Sequence, residues 1–298
     1  MNAYIFPGQG SQHPGMGRQL HEQFPQAREL FQHADEVLGY PISDIMFNGT
    51  EEQLKQTRHT QLAMFLHGYI AYVCLHQELP NMTAGHSLGE YTALVVAGCL
   101  SFEDALRLVE IRANAMQKCC ENQESGMAAV LKFDDKITEE VCSAITDEVV
   151  VPANYNSPQQ LVISGSMKGL EIAGKRLKEA GSRRILMLNV GGAFHSPLMK
   201  EAQDELADAI VKCPFNEPIC PVYQNVTAKP TTDSEVIRMN LISQLTSPVR
   251  WTDTVRNMVR DGATRFVEFG PAPTLQNLVK RIVPEIETEC LGTDHSEL

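Results

Sequence analysis

The run MTAGHSLGEYTALVVA, residues 82–97, sets the strongest constraint on the fold of this chain. A short apolar stretch ends in Gly85-His86-Ser87-Leu88-Gly89 and passes at once into a second apolar stretch from Tyr91 to Ala97. A serine between two glycines at such a junction fits a sharp turn from strand to helix. The glycines let the two backbones approach, and the hydroxyl stands exposed at the end of a sheet. The helix dipole beneath Ser87 would favour negative charge developing there. The same five residues also suit an ordinary glycine-flanked turn at a helix start.

The rest of the chain has an α/β rhythm. NAYIF (2–6) stops at Pro7-Gly8 and predicts a buried strand feeding a glycine-rich loop. Helical patterns follow over 16–38 and 60–79, the second apolar almost all round and therefore central. A long helix over 102–120 is opened by Ser101 as N-cap, with Asp104 three residues on. Between 122 and 190 the order changes: strand 126–133, helix 135–146, strands 149–155 and 159–165 around Asn156-Ser157-Pro158, helix 167–180, strand 183–190. That βαββαβ order predicts an inserted ferredoxin-like subdomain, with Gly191-Gly192 as the return hinge. Beyond it come helix 197–212, strand 222–227, helices 234–246 and 251–261, strand 265–269 and a last helix after Gly270-Pro271. The expectation is a catalytic domain of residues 1–121 and 191–298 with a mainly parallel sheet, and a small subdomain at 122–190.

Composition excludes several function classes. A net charge of −12 over 298 residues argues against nucleic acid as a main partner. The eight cysteines include no C-x-x-C, which predicts reduced thiols in a cytoplasmic protein and no metal site. The start lacks a basic, cleavable leader, and the apolar segment 63–79 carries His67, His76 and Glu78, so neither a signal peptide nor a membrane span is expected.

A serine nucleophile needs a base. Of nine histidines, His195 stands out in Gly191-Gly-Ala-Phe-His-Ser-Pro197, directly before a helix with Ser196 as N-cap and Pro197 at its first position. The positive helix end there would keep the imidazole neutral. A loop histidine without a role fits the same residues. His86 is expected to support the turn, and His295 lies in the polar tail.

Within the 102–120 helix, Ala105, Val109 and Met116 form an apolar stripe with Leu108 beside it, and Arg112 falls inside that stripe. A buried guanidinium requires an anion, and its planar fork matches a carboxylate. Arg112 is therefore the candidate reader of a substrate carboxylate, with a structural ion pair as the rival reading.

Taken together, Phe6-Pro-Gly-Gln-Gly-Ser-Gln12, Gly85-His-Ser-Leu-Gly-Glu-Tyr91, Arg112, Gly126-Met-Ala-Ala129, Asn156-Ser-Pro-x-Gln160, Ala193-Phe-His195, Pro248-Val-Arg-Trp251 and Glu268-Phe-Gly-Pro271 resemble the malonyl-CoA:acyl-carrier-protein transacylases and the polyketide acyltransferase domains. The resemblance spans nearly the whole chain. It implies an α/β-hydrolase-like core with a ferredoxin-like insert, malonyl-CoA and an acyl-carrier protein as partners, and no cofactor. By the same resemblance Ser87 is the nucleophile, His195 the base and Arg112 the clamp for the malonyl carboxylate. The Gln9 and Leu88 N–H groups form the oxyanion hole, reached because Gly8 and Gly10 bring their loop close. Asn156 and Gln160 lie by the acyl pocket, and a backbone carbonyl at Arg250, where many relatives carry Gln, orients the histidine. Phe194 beside the base is expected to crowd a 2-methyl branch, favouring malonyl over methylmalonyl.

The implied reaction is ping-pong transfer through a malonyl-Ser87 ester, supplying fatty-acid synthesis. A polyketide trans-acyltransferase, an acyl-carrier editing hydrolase and an idle docking module are the alternatives. Arg112 speaks against the editing enzyme, and the end of the chain soon after its last helix favours a discrete enzyme. Lys175, Arg176, Lys178, Arg183 and Arg184 are candidates for a basic docking patch or an ordinary solvated face.

Overall fold

The computed structural model describes residues 1–76 and 78–293; His295 and Gln77 fall outside them. Its centre is a six-stranded sheet in the order β10-β9-β1-β2-β7-β8, built from β1 (Asn2–Phe6), β2 (Met82–Gly85), β7 (Val222–Tyr223), β8 (Pro230–Thr231), β9 (Arg265–Phe269) and β10 (Glu287–Leu291). All neighbours are parallel except β7 and β8. Successive side chains of a strand point to opposite faces. Tyr4 and Phe6 of β1 therefore enter one core, and Ala3 and Ile5 enter the other.

The larger core holds the elbow. The pattern over 16–38 is two helices, α1 (Arg18–Gln23) and α2 (Pro25–Leu38), because Pro25 cannot continue the first and starts the second. Two short helices, α3 (Ile42–Asn48) and α4 (Glu51–Lys55), were not legible as helices; α4 begins in a capping box of Thr50 and Gln53. The all-round apolar pattern becomes α5 (Thr57–Leu75), buried from Gln61 to Gly68. Packed against it are α6 (Gly89–Val96) and α7 (Phe102–Asn122), the latter capped by Ser101 Oγ, which accepts the Asp104 N–H at 3.0 Å as the sequence predicts.

The second sheet comes from the middle of the chain and is wholly antiparallel, in the order β4-β5-β3-β6. It contains β3 (Ser125–Leu131), α8 (Asp135–Ser143), β4 (Val150–Ser157), β5 (Gln160–Ser166), α9 (Met167–Glu179) and β6 (Ile185–Met187). One face packs on its own helices through Val130, Ile163, Leu170 and Leu177. From the other face Met127, Ala129 and Val162 join the main core. The hairpin turn falls at Pro158-Gln159, with Gln159 at φ 61°, so Asn156 and Ser157 belong to β4. The expected strand 183–190 shrinks to three residues, since only Ile185–Met187 pair with β3.

Beyond the insert, a 3-10 turn (Pro197–Met199) precedes α10 (Lys200–Lys212), and α11 (Ser234–Ser243) runs into a second one (Gln244–Thr246). The other core holds α12 (Trp251–Arg260) and α13 (Thr274–Ile282). The second sheet is stitched through β4 to the segment before residue 251 at Val249, whose N–H donates to Ala153 O at 2.8 Å and whose carbonyl accepts from Tyr155 N–H at 2.9 Å. That stitch gives Pro248-Val-Arg-Trp251 its structural task. Among the described residues, no helix is long and apolar enough to cross a membrane.

Candidate active site

The elbow forms because its glycines leave no room for anything else. A Cβ on Gly89 would stand 1.9 Å from the Phe6 carbonyl oxygen, and one on Gly85 would stand 1.9 Å from the Gly89 carbonyl carbon. Between them Ser87 takes φ 53°, a left-handed conformation that side-chain-bearing residues seldom hold. The strain raises Oγ above the sheet end, where it meets His195 Nε2 at 2.8 Å.

His195 also holds a left-handed backbone, φ 57°, one residue before Ser196, whose Oγ accepts the Leu198 N–H and donates to Ala193 O. The orientation of its ring corrects the expectation for Arg250. Nδ1 lies 3.0 Å from the Gln244 carbonyl and 3.1 Å from that of Ser247, a geometry in which Nδ1–H donates and Nε2 is the free base. Arg250 is exposed, and its carbonyl accepts the Thr254 N–H as the first bond of α12. The histidine ring bonds the Gln244 and Ser247 carbonyls and makes no hydrogen bond to that of Arg250. Burial, and next the Arg112 charge, push the His195 pKa down to about 3, so the ring is neutral near pH 7.

Arg112 is fully buried, as its place in the apolar stripe predicts. Its Nη1 donates to Gln61 Oε1 at 2.6 Å; its Nη2 donates to Gln244 Oε1 and to Ser87 Oγ, both at 3.1 Å. The Tyr91 ring lies 5.6 Å from the guanidinium carbon. Among the described residues no carboxylate forms an ion pair with it; two amides and a hydroxyl hold the cation, and the buried Glu90 opposes its charge from a distance.

Ser87, His195, Arg112, Gln9, Leu88, Phe194 and Asn156 line one cavity of about 150 Å³, closed by Met116, Met127 and Val162. The Gln9 and Leu88 N–H groups have no acceptor among the described residues. Gly8 explains how Gln9 reaches the elbow, since a Cβ there would lie 2.5 Å from the His86 carbonyl oxygen. Gly10 serves otherwise: nothing lies within 4 Å of its Cβ position, and what it supplies is φ 134°. His86 does more than support the turn, because its Nε2 bonds Asn156 Oδ1 at 2.8 Å and so ties the elbow to β4. Gln160 sits farther out. It lines an adjoining vestibule of about 460 Å³ shared with Gln9, His86 and Asn156, and its Oε1 accepts from Arg281 at 2.6 Å.

Sequence reasoning missed Gln61, Gln244, Ser247, Glu90 and Asn225. A signal existed for Gln61, an amide at the head of the apolar run Leu62–Leu66. None existed for the carbonyls of Gln244 and Ser247, because every residue carries one. Among the described residues no group of three or more His, Cys, Asp or Glu is placed to hold a metal ion.

The acyl transferase domain family matches residues 3–292. The malonyl CoA-acyl carrier protein transacylase of Bacillus subtilis (strain 168) is 42% identical over 291 residues, covering 96% of this chain and 92% of that protein. The structure of the malonyl CoA-acyl carrier protein transacylase of Coxiella burnetii superposes with a TM-score of 0.94 at 38% identity, covering 98% and 94% of the two chains. A malonyl-transacylase solved in complex with its type II polyketide-synthase acyl-carrier protein gives 0.93 at 38% identity, covering 98% and 96%.

Proposed function

Because the chain belongs to the acyl transferase family, we propose that it carries a malonyl group from malonyl-CoA to the phosphopantetheine thiol of an acyl-carrier protein, supplying fatty-acid synthesis. The observation that carries this reading is a single oxygen with two partners. Ser87 Oγ lies 2.8 Å from a buried base and 3.1 Å from a buried cation.

In the first half-reaction Oγ attacks the thioester carbonyl as His195 Nε2 takes its proton. The Gln244 and Ser247 carbonyls stabilise the imidazolium through Nδ1–H, the task a carboxylate has in a Ser-His-Asp triad. The free N–H groups of Gln9 and Leu88 receive the oxyanion, and the coenzyme A thiolate leaves with the proton from Nε2. In the second half-reaction the carrier's thiol gives its proton to the same nitrogen, attacks the malonyl ester and releases Ser87 Oγ, which is reprotonated from His195.

Arg112 reads the far end of the acyl group. In malonyl one methylene separates the carboxylate from the reacting carbonyl, so its reader must stand beside the nucleophile, as Arg112 does. Acetyl would leave the guanidinium with amide partners only, a loss of about 1–3 kcal/mol of charged hydrogen bonding. Once bound, the carboxylate also offsets the guanidinium field that holds the His195 pKa down.

The fold supports a division into a catalytic part, residues 1–121 and 191–298, with an α/β-hydrolase-like core, and a ferredoxin-like insert at 122–190. The βαββαβ order and the antiparallel arrangement β4-β5-β3-β6 support the second assignment. The exposed Lys175, Arg176, Lys178, Arg183 and Arg184 on the insert form a basic face for an acidic carrier.

Intact-protein mass spectrometry after mixing with malonyl-CoA, and again after adding carrier bearing its phosphopantetheine arm, tests the function. A malonyl adduct absent from Ser87→Ala and passed to the carrier is the expected result. An adduct lost to water whether or not carrier is present would make the protein a hydrolase.

A further inference from the structure

We propose that Asn225 is a positioning residue for the nucleophile: its side chain ties the two sides of the elbow together and holds Ser87 in its left-handed backbone conformation. The inference rests on the transferase reading above. Asn225 lies two residues beyond β7, is 1% exposed and takes no part in lining the cavity. Its Oδ1 accepts the Ser87 N–H at 2.6 Å, and its Nδ2 donates to the Gly85 carbonyl at 2.6 Å. One amide thus satisfies two backbone groups that the elbow has removed from their regular partners. β1 pairs with β2 only as far as Gly85, and α6 starts at Gly89. Without Asn225 both groups would be buried and unpaired.

The amide is itself held from behind. The Asn225 N–H donates to Glu90 Oε2 at 2.7 Å, and its carbonyl accepts from the Arg250 N–H at 3.1 Å. Glu90 Oε1 takes Gln224 Nε2 at 3.2 Å, and Gln224 Oε1 takes Asn240 Nδ2 from α11 at 2.7 Å. Glu90 is fully buried, forms no ion pair among the described residues and does not reach the cavity. Its bonds run to the strut instead, so a carboxylate three residues after the nucleophile fixes the residue that fixes the nucleophile. A strut of this kind sets the direction of Oγ and leaves substrate affinity to Arg112 and the cavity wall.

Rapid-quench mass spectrometry of malonyl-Ser87 formation tests the proposal. In Asn225→Ala the rate at saturating malonyl-CoA should fall about 10²-fold, because small misplacements of a reacting atom cost that much. Half-saturation should stay within about twofold. Asn225→Asp keeps the shape and the acceptor facing the Ser87 N–H and should lose less. Met258→Ala, a truncation in the core behind α12, should lower Tm without slowing acylation by folded molecules. Wild-type acylation in both Asn225 variants, a loss expressed as weaker half-saturation, or equal slowing in Met258→Ala would each overturn the proposal. A readout without turnover separates it from the transferase reading. The Ser87 amide hydrogen should exchange slowly in the wild type and faster in Asn225→Ala; fast exchange in the wild type overturns the strut even if the protein transfers malonyl. Absence of a malonyl adduct with a slow Ser87 amide overturns the transferase reading alone.

Discussion

Arg112 and Ser87 are hydrogen-bonded to each other: Nη2 donates to Oγ at 3.1 Å from inside a fully buried helix face. In the proposed reaction the selectivity group and the nucleophile therefore share a contact that the substrate must replace. A carboxylate one methylene from the reacting carbon takes the guanidinium from Oγ and leaves the hydroxyl to His195. Recognition and activation are then one rearrangement.

Arg112→Ala should cut malonyl transfer to Ser87 by about 10–10²-fold, the value of one to two charged hydrogen bonds. Acetyl transfer should fall far less, so the acetyl-to-malonyl ratio rises. Initial rates of adduct formation with the two thioesters check this. Succinyl-CoA, one methylene longer, should be a poor substrate of the wild type because its carboxylate overshoots the guanidinium.

The pH dependence follows from His195. Its folded pKa of about 3 lies below the ordinary value of 6.5, so the base form exists above about 3 and no inflection near 6.5 is expected in kcat/KM for malonyl-CoA. In the malonyl-enzyme the bound carboxylate opposes the Arg112 field, so the corresponding inflection in kcat/KM for the carrier should lie at higher pH. Identical inflections in both profiles would show that the carboxylate does not reach Arg112. Stability changes in the same direction as for an ion-paired carboxylate, but over a window that begins at higher pH. The unfolded histidine binds a proton that the folded one refuses, so between about pH 6.5 and 3 this residue makes the protein less stable as pH falls.

Phe194, 7% exposed and in the cavity wall, is expected to exclude a 2-methyl branch. Phe194→Ala should raise the methylmalonyl-to-malonyl ratio by about 10-fold or more, within the range one methyl group is worth in a fitted pocket. A wild-type protein that takes both thioesters at equal rates contradicts this assignment.

Gly8→Ala places a Cβ about 2.5 Å from the His86 carbonyl oxygen, so the N-terminal loop must retreat and carry the Gln9 N–H with it. Acylation should fall about 10²-fold, as when one oxyanion donor is lost. Far-UV circular dichroism should match the wild type, because the loop can move while β1 stays paired.

Much of the site could be read locally. Strand-glycine-serine-glycine-helix announced the elbow because its constraints lie within five residues. Arg112 showed itself because a helix repeats every 3.6 residues, so a charge inside an apolar stripe is visible without coordinates. Ser101 and Ser196 were legible as caps for the same reason of proximity. Helix ends and short strands were less so. The strand expected at 183–190 kept only the three residues in register with β3, and β10 was invisible because its pairing with β9 is decided across the sheet.

The sequence by itself determined the layer fold, the serine elbow, the histidine at a helix start and the buried cation, since each leaves a mark within a turn or two of chain. Only the tertiary structure decided what orients them. Gln244 stands 157 positions from Ser87 and Asn225 stands 138, yet one carries the histidine on its carbonyl and the other grips the elbow. A backbone carbonyl has no residue type, and an asparagine after a two-residue strand looks like any loop polar group. Their roles arise when packing removes water from the elbow and leaves its backbone groups no other partners.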